Sequence, residues 1–274
     1  MYRVKVTSVQ SANRFDDAGV FVLEAAITSL LADSRLHLKR ADSVAGPQSF
    51  STQKNDDAFP GLAAGHIHEW HLCDALSQPK LWFPPLTLLA LLACSRTDDR
   101  IVWVGRKCWP TFQLLCAHFA GETRQKILSR STFLDPLTDA ERFWSIAEGL
   151  RCPGVGCVVA DGCGMSSTVN RRMQLAAESG RGVGLLARPP WEISEPFCAG
   201  TRWRVQSLDS ASDEPQWQIE LQRCRGQRQD APTRWTVGWN YQVFVGKGAL
   251  HFSPDVGCGS LPSQDVTPNR IKTA

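Results

Sequence analysis

"GVGCVVADGCGMSSTVNRRMQLAAESGRGVGLLARP", residues 154–189, holds two short apolar runs separated by an amphipathic stretch. The first run, Gly154 to Gly162, and the second, Gly182 to Pro189, have continuous rather than alternating apolar character, as strands covered on both faces do. Between them, a serine pair opens and Gly180 closes a segment with apolar residues at helical spacing, which predicts a helix. A strand, a helix and a second buried strand in so short a span predict a parallel sheet with helices on its faces.

The same alternation extends upstream. "HIHEWHL" reads as a strand, and Pro84 to Cys94 as a helix entered through Pro84-Pro85, a pair suited to a first turn. "DRIVWVG" is a buried strand, and "WPTFQLLCAHFAG" a helix with Pro110 near its start and Gly121 at its end. "TDAERFWSIAEGLR" carries Thr138 as N-cap with Glu141 three residues on, a capping-box pattern. Downstream the pattern changes: "TRWRVQSL", "QWQIELQRC" and "RWTVGWN" alternate strictly with no helix between them, which predicts an antiparallel meander with one exposed face.

The ends read differently. Residues 1–17 look loosely ordered, Ala18 to Asp33 predicts an amphipathic helix, and residues 39–60 are polar and rich in turn formers. From about Gly246 periodicity fades. The organisation expected is therefore an N-terminal helix and flexible linker (1–57), an α/β core with an antiparallel β extension (58–245), and a disordered tail (246–274).

Composition narrows the functional classes. Of 274 residues, 43% are apolar and 21% charged, which is ordinary for a globular protein with one substantial core. No apolar run approaches the roughly 18 residues that span a bilayer, and the N-terminus lacks a secretory apolar core, so a cytoplasmic protein with no membrane partner is expected. Ten cysteines occur without any C-x-x-C pair, several inside apolar runs, where Cys behaves as a small hydrophobe. A net charge of +3 does not by itself advertise nucleic acid. The basic residues Arg171, Arg172 and Arg181, and the run "LQRCRGQRQ", are nonetheless candidates for DNA contact.

Candidate chemistry centres on "HEWHLCDALSQPKLWFPPLTLLALL", residues 68–92. A strand feeding a helix through a loop is where a phosphate-binding ATPase carries its glycine-rich loop. Here the loop has no glycine, so the backbone cannot wrap a phosphate closely. Lys80 sits before Leu81-Trp82-Phe83-Pro84 rather than beside a hydroxyl, and the two prolines remove N–H groups that would point at an anion. Asp74 and Lys80 are thus degenerate positions, as is Asp161, which ends an apolar strand where such ATPases place a magnesium-linked carboxylate. No nucleotide, no other cofactor and no catalytic residue is expected. His66, His68 and Cys73 are weak candidates for a metal site, with His71 on the opposite strand face. Ten tryptophans against two tyrosines are unusual. Trp203, Trp217, Trp235 and Trp239 with their neighbouring arginines would be either a core with snorkelling cations or a base-stacking surface.

The order of elements, together with "RIVWVGRKCWP", "RSTFLDPLTDAERFWSIAEGLRCPGVGCVVADG" and "NRRMQLAAESGRGVGLLARPPWE" followed by "TRWRVQ", resembles the RecA-like proteins of the ImuA family from bacterial mutagenesis cassettes. The likeness covers about residues 58–240 and is most specific at "RRMQLAAESG". It implies a RecA-like sheet with a degenerate phosphate loop and an accessory role in the SOS response and translesion DNA synthesis. The partners it implies are a Y-family polymerase-like protein, ImuB, and an error-prone replicative-type polymerase, with RecA and single-stranded DNA as further candidates. Two other classes stay open: a division inhibitor or other regulatory interaction protein resembling SulA, and a divergent ATPase or metal-binding protein.

Overall fold

A computed structural model of the chain describes residues 5–7, 61–73, 81–96, 99–196, 198–209, 214–226, 234–242 and 247–254. The predicted helix from Ala18 to Asp33, the linker that follows it, and the loop positions Asp74 and Lys80 lie outside the described residues.

One ten-stranded sheet organises the chain. Its strands are β1 (Lys5–Thr7), β2 (His66–Leu72), β3 (Arg100–Val104), β4 (Ser131–Asp135), β5 (Val155–Asp161), β6 (Val183–Arg188), β7 (Thr201–Leu208), β8 (Gln216–Cys224), β9 (Arg234–Gln242) and β10 (Lys247–Pro254), in the spatial order β1-β4-β3-β5-β6-β2-β7-β8-β9-β10. The block from β4 to β7 is parallel, while β1 and β8 to β10 pair antiparallel at its two ends. The helices are α1 (Leu86–Arg96), α2 (Phe112–His118), α3 (Gly121–Ser129), α4 (Asp139–Arg151) and α5 (Ser167–Gly180). The mostly parallel α/β sheet with a C-terminal antiparallel segment is the fold class expected from the residues.

The central strands are buried on both faces, which is why they are continuously apolar. Leu185, Val159 and Trp103 join a cluster with Leu88, Leu89 and Leu91 of α1. Leu186, Val158 and Val102 join the opposite cluster with Ile146 and Leu150 of α4 and Met173, Ala176 and Ala177 of α5. Thr138 caps α4 in a complete capping box with Glu141, and Ser166 caps α5 by accepting the Val169 N–H. The nine described cysteines are free thiols. Burial pushes the Cys94 thiol up to about 12, so this residue packs in its neutral form.

The α1 helix is apolar all round, and such a helix must be enclosed. It packs on β5 and also reaches β10. In a flat sheet these strands, six positions apart, would lie about 29 Å from each other at roughly 4.8 Å per step, far beyond a helix about 10 Å across. The antiparallel extension therefore curls over α1. Trp203, Trp217, Trp235 and Trp239 line the concave side and are buried, with Trp203 stacked on Trp70 of β2 (ring centroids 5.4 Å apart). They form a core and leave no base-stacking surface.

Several local expectations are corrected. β7 is no member of a free meander: it runs parallel to β2 and antiparallel to β8, and so joins the two kinds of sheet. Lys247–Pro254, assigned to the tail, form β10, because Leu250 and Phe252 alternate inward to pack on the core. Lys5–Thr7, in the stretch read as loosely ordered, pair with β4. The helix expected through Gly121 stops at His118, since Phe119 turns extended (φ −133°) to bury its ring against Trp239, and α3 starts afresh. α3 and β4 themselves were not read from the sequence. No helix among the described residues is long and apolar enough to cross a membrane.

The end of α5 shows how closely these layers fit. Gly180 closes the helix, but the left-handed residue is Arg181 (φ 61°). Gly180 is required by proximity instead: a Cβ there would lie 2.0 Å from the Leu150 carbonyl oxygen at the end of α4. We predict that Gly180→Ala destabilises the protein at or above the upper end of the roughly 1–3 kcal/mol typical of overpacking. Arg181→Gly should instead raise stability by about 0.5–1 kcal/mol by relieving the left-handed backbone. Urea unfolding of both variants checks the pair.

Candidate functional site

In an open parallel sheet, ligands bind beyond the carboxyl ends of the strands. Here an ion-pair network joins the carboxyl end of β6 to the middle of β2 and the amino end of β7. Glu69 of β2 has no exposed surface, and Arg188 and Arg202 are each 1% exposed. Register brings them together: Glu69 lies opposite Arg202 in the β2–β7 ladder and diagonal to Arg188 at the end of β6. Arg188 Nη1 donates to Glu69 Oε1 at 3.0 Å, and Arg202 Nε to Glu69 Oε2 at 2.6 Å. Asn170 of α5 donates to the same carboxylate.

The network continues outward. Arg188 forks onto Glu192 Oε2 through Nε (2.9 Å) and Nη2 (2.6 Å), and Glu192 Oε1 accepts the Gly164 N–H at 2.9 Å. Arg202 Nη1 donates to the carbonyls of Ile193 (2.8 Å) and Glu195 (2.7 Å). Two guanidiniums thus meet two carboxylates, and the set is balanced in charge. Burial would push Glu69 up, but the flanking Arg188 and Arg202 guanidiniums outweigh it and hold the carboxyl below its ordinary range. His71, on the same strand face, donates from Nδ1 to the Pro189 carbonyl (2.9 Å), and burial lowers its pKa to about 4.

Each residue singled out in the sequence can now be placed. Asp161 accepts the Cys163 N–H at Oδ1 (2.9 Å) and faces Arg142 Nη1 at 3.4 Å, so its carboxylate ends β5 and turns the chain. His66 Nδ1 contacts the Gln174 amide (2.8 Å), whereas His68 bonds Thr201 Oγ1 (2.7 Å) and the Ala63 carbonyl (3.1 Å). The Cys73 thiol turns back to the His71 carbonyl. These three do not converge, and among the described residues no group of His, Cys, Asp and Glu is arranged to hold a metal.

Arg171, Arg172 and Arg181 are all exposed but diverge. Arg172 is about 100° around α5 from Arg171, and Arg181 lies about 15 Å along the axis. Arg171 instead shares a groove of about 740 Å³ with Leu175 of α5 and with Arg223 and Arg225 at the end of β8. Arg225 is paired with Glu178 at 2.9 Å. The run "LQRCRGQRQ" contained the signal for this grouping, but nothing local linked it to α5, about fifty residues earlier.

No family model matches the chain. It is 28% identical over 203 residues to Protein ImuA of Caulobacter vibrioides, in strains NA1000 / CB15N and ATCC 19089 / CIP 103742 / CB 15, a match covering 66% of this chain and 79% of the relative. The chain is similar to ImuA. Among solved structures, SulA from Pseudomonas aeruginosa is 17% identical and covers 44% of this chain and 97% of its own, with a TM-score of 0.31. The flagellar accessory protein FlaH from Methanocaldococcus jannaschii is 8% identical and covers 70% and 91%, with a TM-score of 0.41.

Removing Glu69 charge should expose the cost of the network. Glu69→Gln leaves two buried guanidiniums without their shared anion and should destabilise by about 3–5 kcal/mol, measured by denaturant unfolding. Acidification acts in the same direction. His71 has its folded pKa depressed to about 4, so the unfolded chain binds the extra proton as pH falls below about 6.5. Stability should drop by about 2 kcal/mol between pH 7 and pH 5. His71→Asn should flatten that segment of the pH profile; an unchanged slope would assign it to another group.

Proposed function

We propose that this chain is a non-catalytic accessory protein of DNA-damage-induced mutagenesis, which works by bringing partners together. The similarity to ImuA over 203 residues carries this reading. The geometry supports its non-catalytic part: the charges buried around Glu69 form a closed, balanced network. Both guanidiniums are committed to carboxylates and carbonyls, and Asp161 is committed to the turn after β5.

Family resemblance supports a Y-family polymerase-like partner, ImuB, and an error-prone replicative-type polymerase, acting in the cytoplasm as part of the SOS response and translesion synthesis. Single-stranded DNA is the weaker ligand. Arg171, Arg172 and Arg181 diverge, and Trp203, Trp217, Trp235 and Trp239 are buried, which removes the stacking platform that single-strand binders use.

Three measurements test this. Deleting the gene should abolish damage-induced mutation while leaving spontaneous mutation near its basal level, and Lys80→Ala should complement the deletion as well as the unaltered gene. The purified protein should show no saturable, magnesium-dependent ATP binding at micromolar concentrations. Tight nucleotide binding lost in Lys80→Ala would replace the adaptor reading with a divergent ATPase. An oligonucleotide of dT bound through all three arginines would show a salt slope near −2, at about −0.7 per phosphate; the adaptor reading expects no such binding at moderate salt.

A further inference from the structure

The groove between α5 and β8 is an unassigned feature with a definite chemical character. Arg171 stands four residues before Leu175 and Glu178 three after it, so all three project from one face of α5. Leu175 is 57% exposed, an aliphatic side chain with little cover on a helix whose other apolar residues, Met173, Ala176 and Ala177, are buried. Ala199 continues the apolar floor, and Arg223 and Arg225 close the far wall. Glu178 neutralises Arg225, whereas Arg171 and Arg223 have no acidic partner among the described residues. An apolar floor with two uncompensated guanidiniums, and with a third arginine exchangeable from a surface pair, is complementary to an anionic chain that also carries an apolar side chain.

We propose that this groove docks an acidic peptide segment of a partner protein, with one aliphatic or aromatic side chain seated on Leu175 and flanking carboxylates on Arg171 and Arg223. This deepens the adaptor reading by assigning a surface and a ligand chemistry. Carboxylates match the arginine fork, which can bind them bidentately. A peptide fits better than a nucleic acid strand because no aromatic side chain lines the groove, so bases would find cations without a stacking partner. Such helix-and-strand clefts read a short motif by an apolar anchor, while the charges set orientation and encounter rate.

The probe is a phage-displayed library of random 12-residue peptides selected on the immobilised full chain. Selected sequences should carry two or more Asp or Glu residues around a Leu, Ile, Met or Phe. A fluorescent copy of the leading peptide should bind, weaken as salt rises, and lose at least tenfold in affinity in Arg223→Glu and in Leu175→Glu. Lys126→Glu, on α3 at the opposite side of the sheet, should bind as the unaltered protein does. All three positions are at the surface, and equal unfolding midpoints would show that the variants fold. Selection of sequences without acids, no selection at all, or binding indifferent to Arg223→Glu and Leu175→Glu overturns the proposal. So does a labelled dT oligonucleotide that binds and is lost in Arg223→Glu, which makes the groove a DNA site. A dimer of the chain itself, dissolved by Leu175→Glu in sedimentation, also overturns it. Because the selection makes no use of mutagenesis, it can fail while the adaptor reading stands, and the genetic test can fail while the groove binds peptide.

Discussion

A carboxylate with no exposed surface, Glu69, sits between two buried guanidiniums in the middle of the sheet. A buried charge without partners costs several kcal/mol, so the strands on either side of β2 must deliver their arginines at the right register. β6 contributes Arg188 from its last position, and β7 contributes Arg202 from its second. A slip of one residue in either ladder would turn the arginine to the other face and leave Glu69 facing apolar neighbours. The network thereby specifies that β7 runs beside β2, in parallel, before the chain reverses.

That junction determines the path of everything after it. β8, β9 and β10 follow β7 by antiparallel pairing, and their apolar faces must be covered by something. α1 meets the need, being apolar around its whole circumference. The tryptophans supply the volume that lets a curved three-strand extension close over one helix, with Trp203 stacked on Trp70 and edge-on to Trp235. The outer face keeps Arg204, Gln206, Gln218 and Arg234, as a strand with one wet face should.

The charges of the Glu69 network are satisfied within the fold. The Arg188 and Arg202 guanidiniums are spent on internal partners, and the Gly164 N–H beside them points to Glu192. Uncompensated positive charge lies elsewhere, along α5 and the end of β8. The similarity to ImuA supports the proposed pathway, and the exposed arginines support the proposed docking surface.

Much of the architecture was legible in the residues because it rests on short-range rules. Continuous apolar runs at Val155–Asp161 and Val183–Arg188, the Thr138–Glu141 capping box and the serine cap of α5 each depend on neighbours within a turn or two. Other elements were not: α3 is mostly polar, β4 is only five residues long, and β10 lies where glycines and a proline interrupt the pattern. Nor could the sequence alone pair Glu69 with Arg188 and Arg202, which lie 119 and 133 positions away. The same holds for Arg171 with Arg223. Local sequence determines which segments bury a face and how they begin and end, because those preferences act over a few residues. Which charges meet, which way β7 runs and where the free arginines gather are decided only when distant strands come into register, because a buried charge and an uncovered apolar face can be satisfied only across the fold.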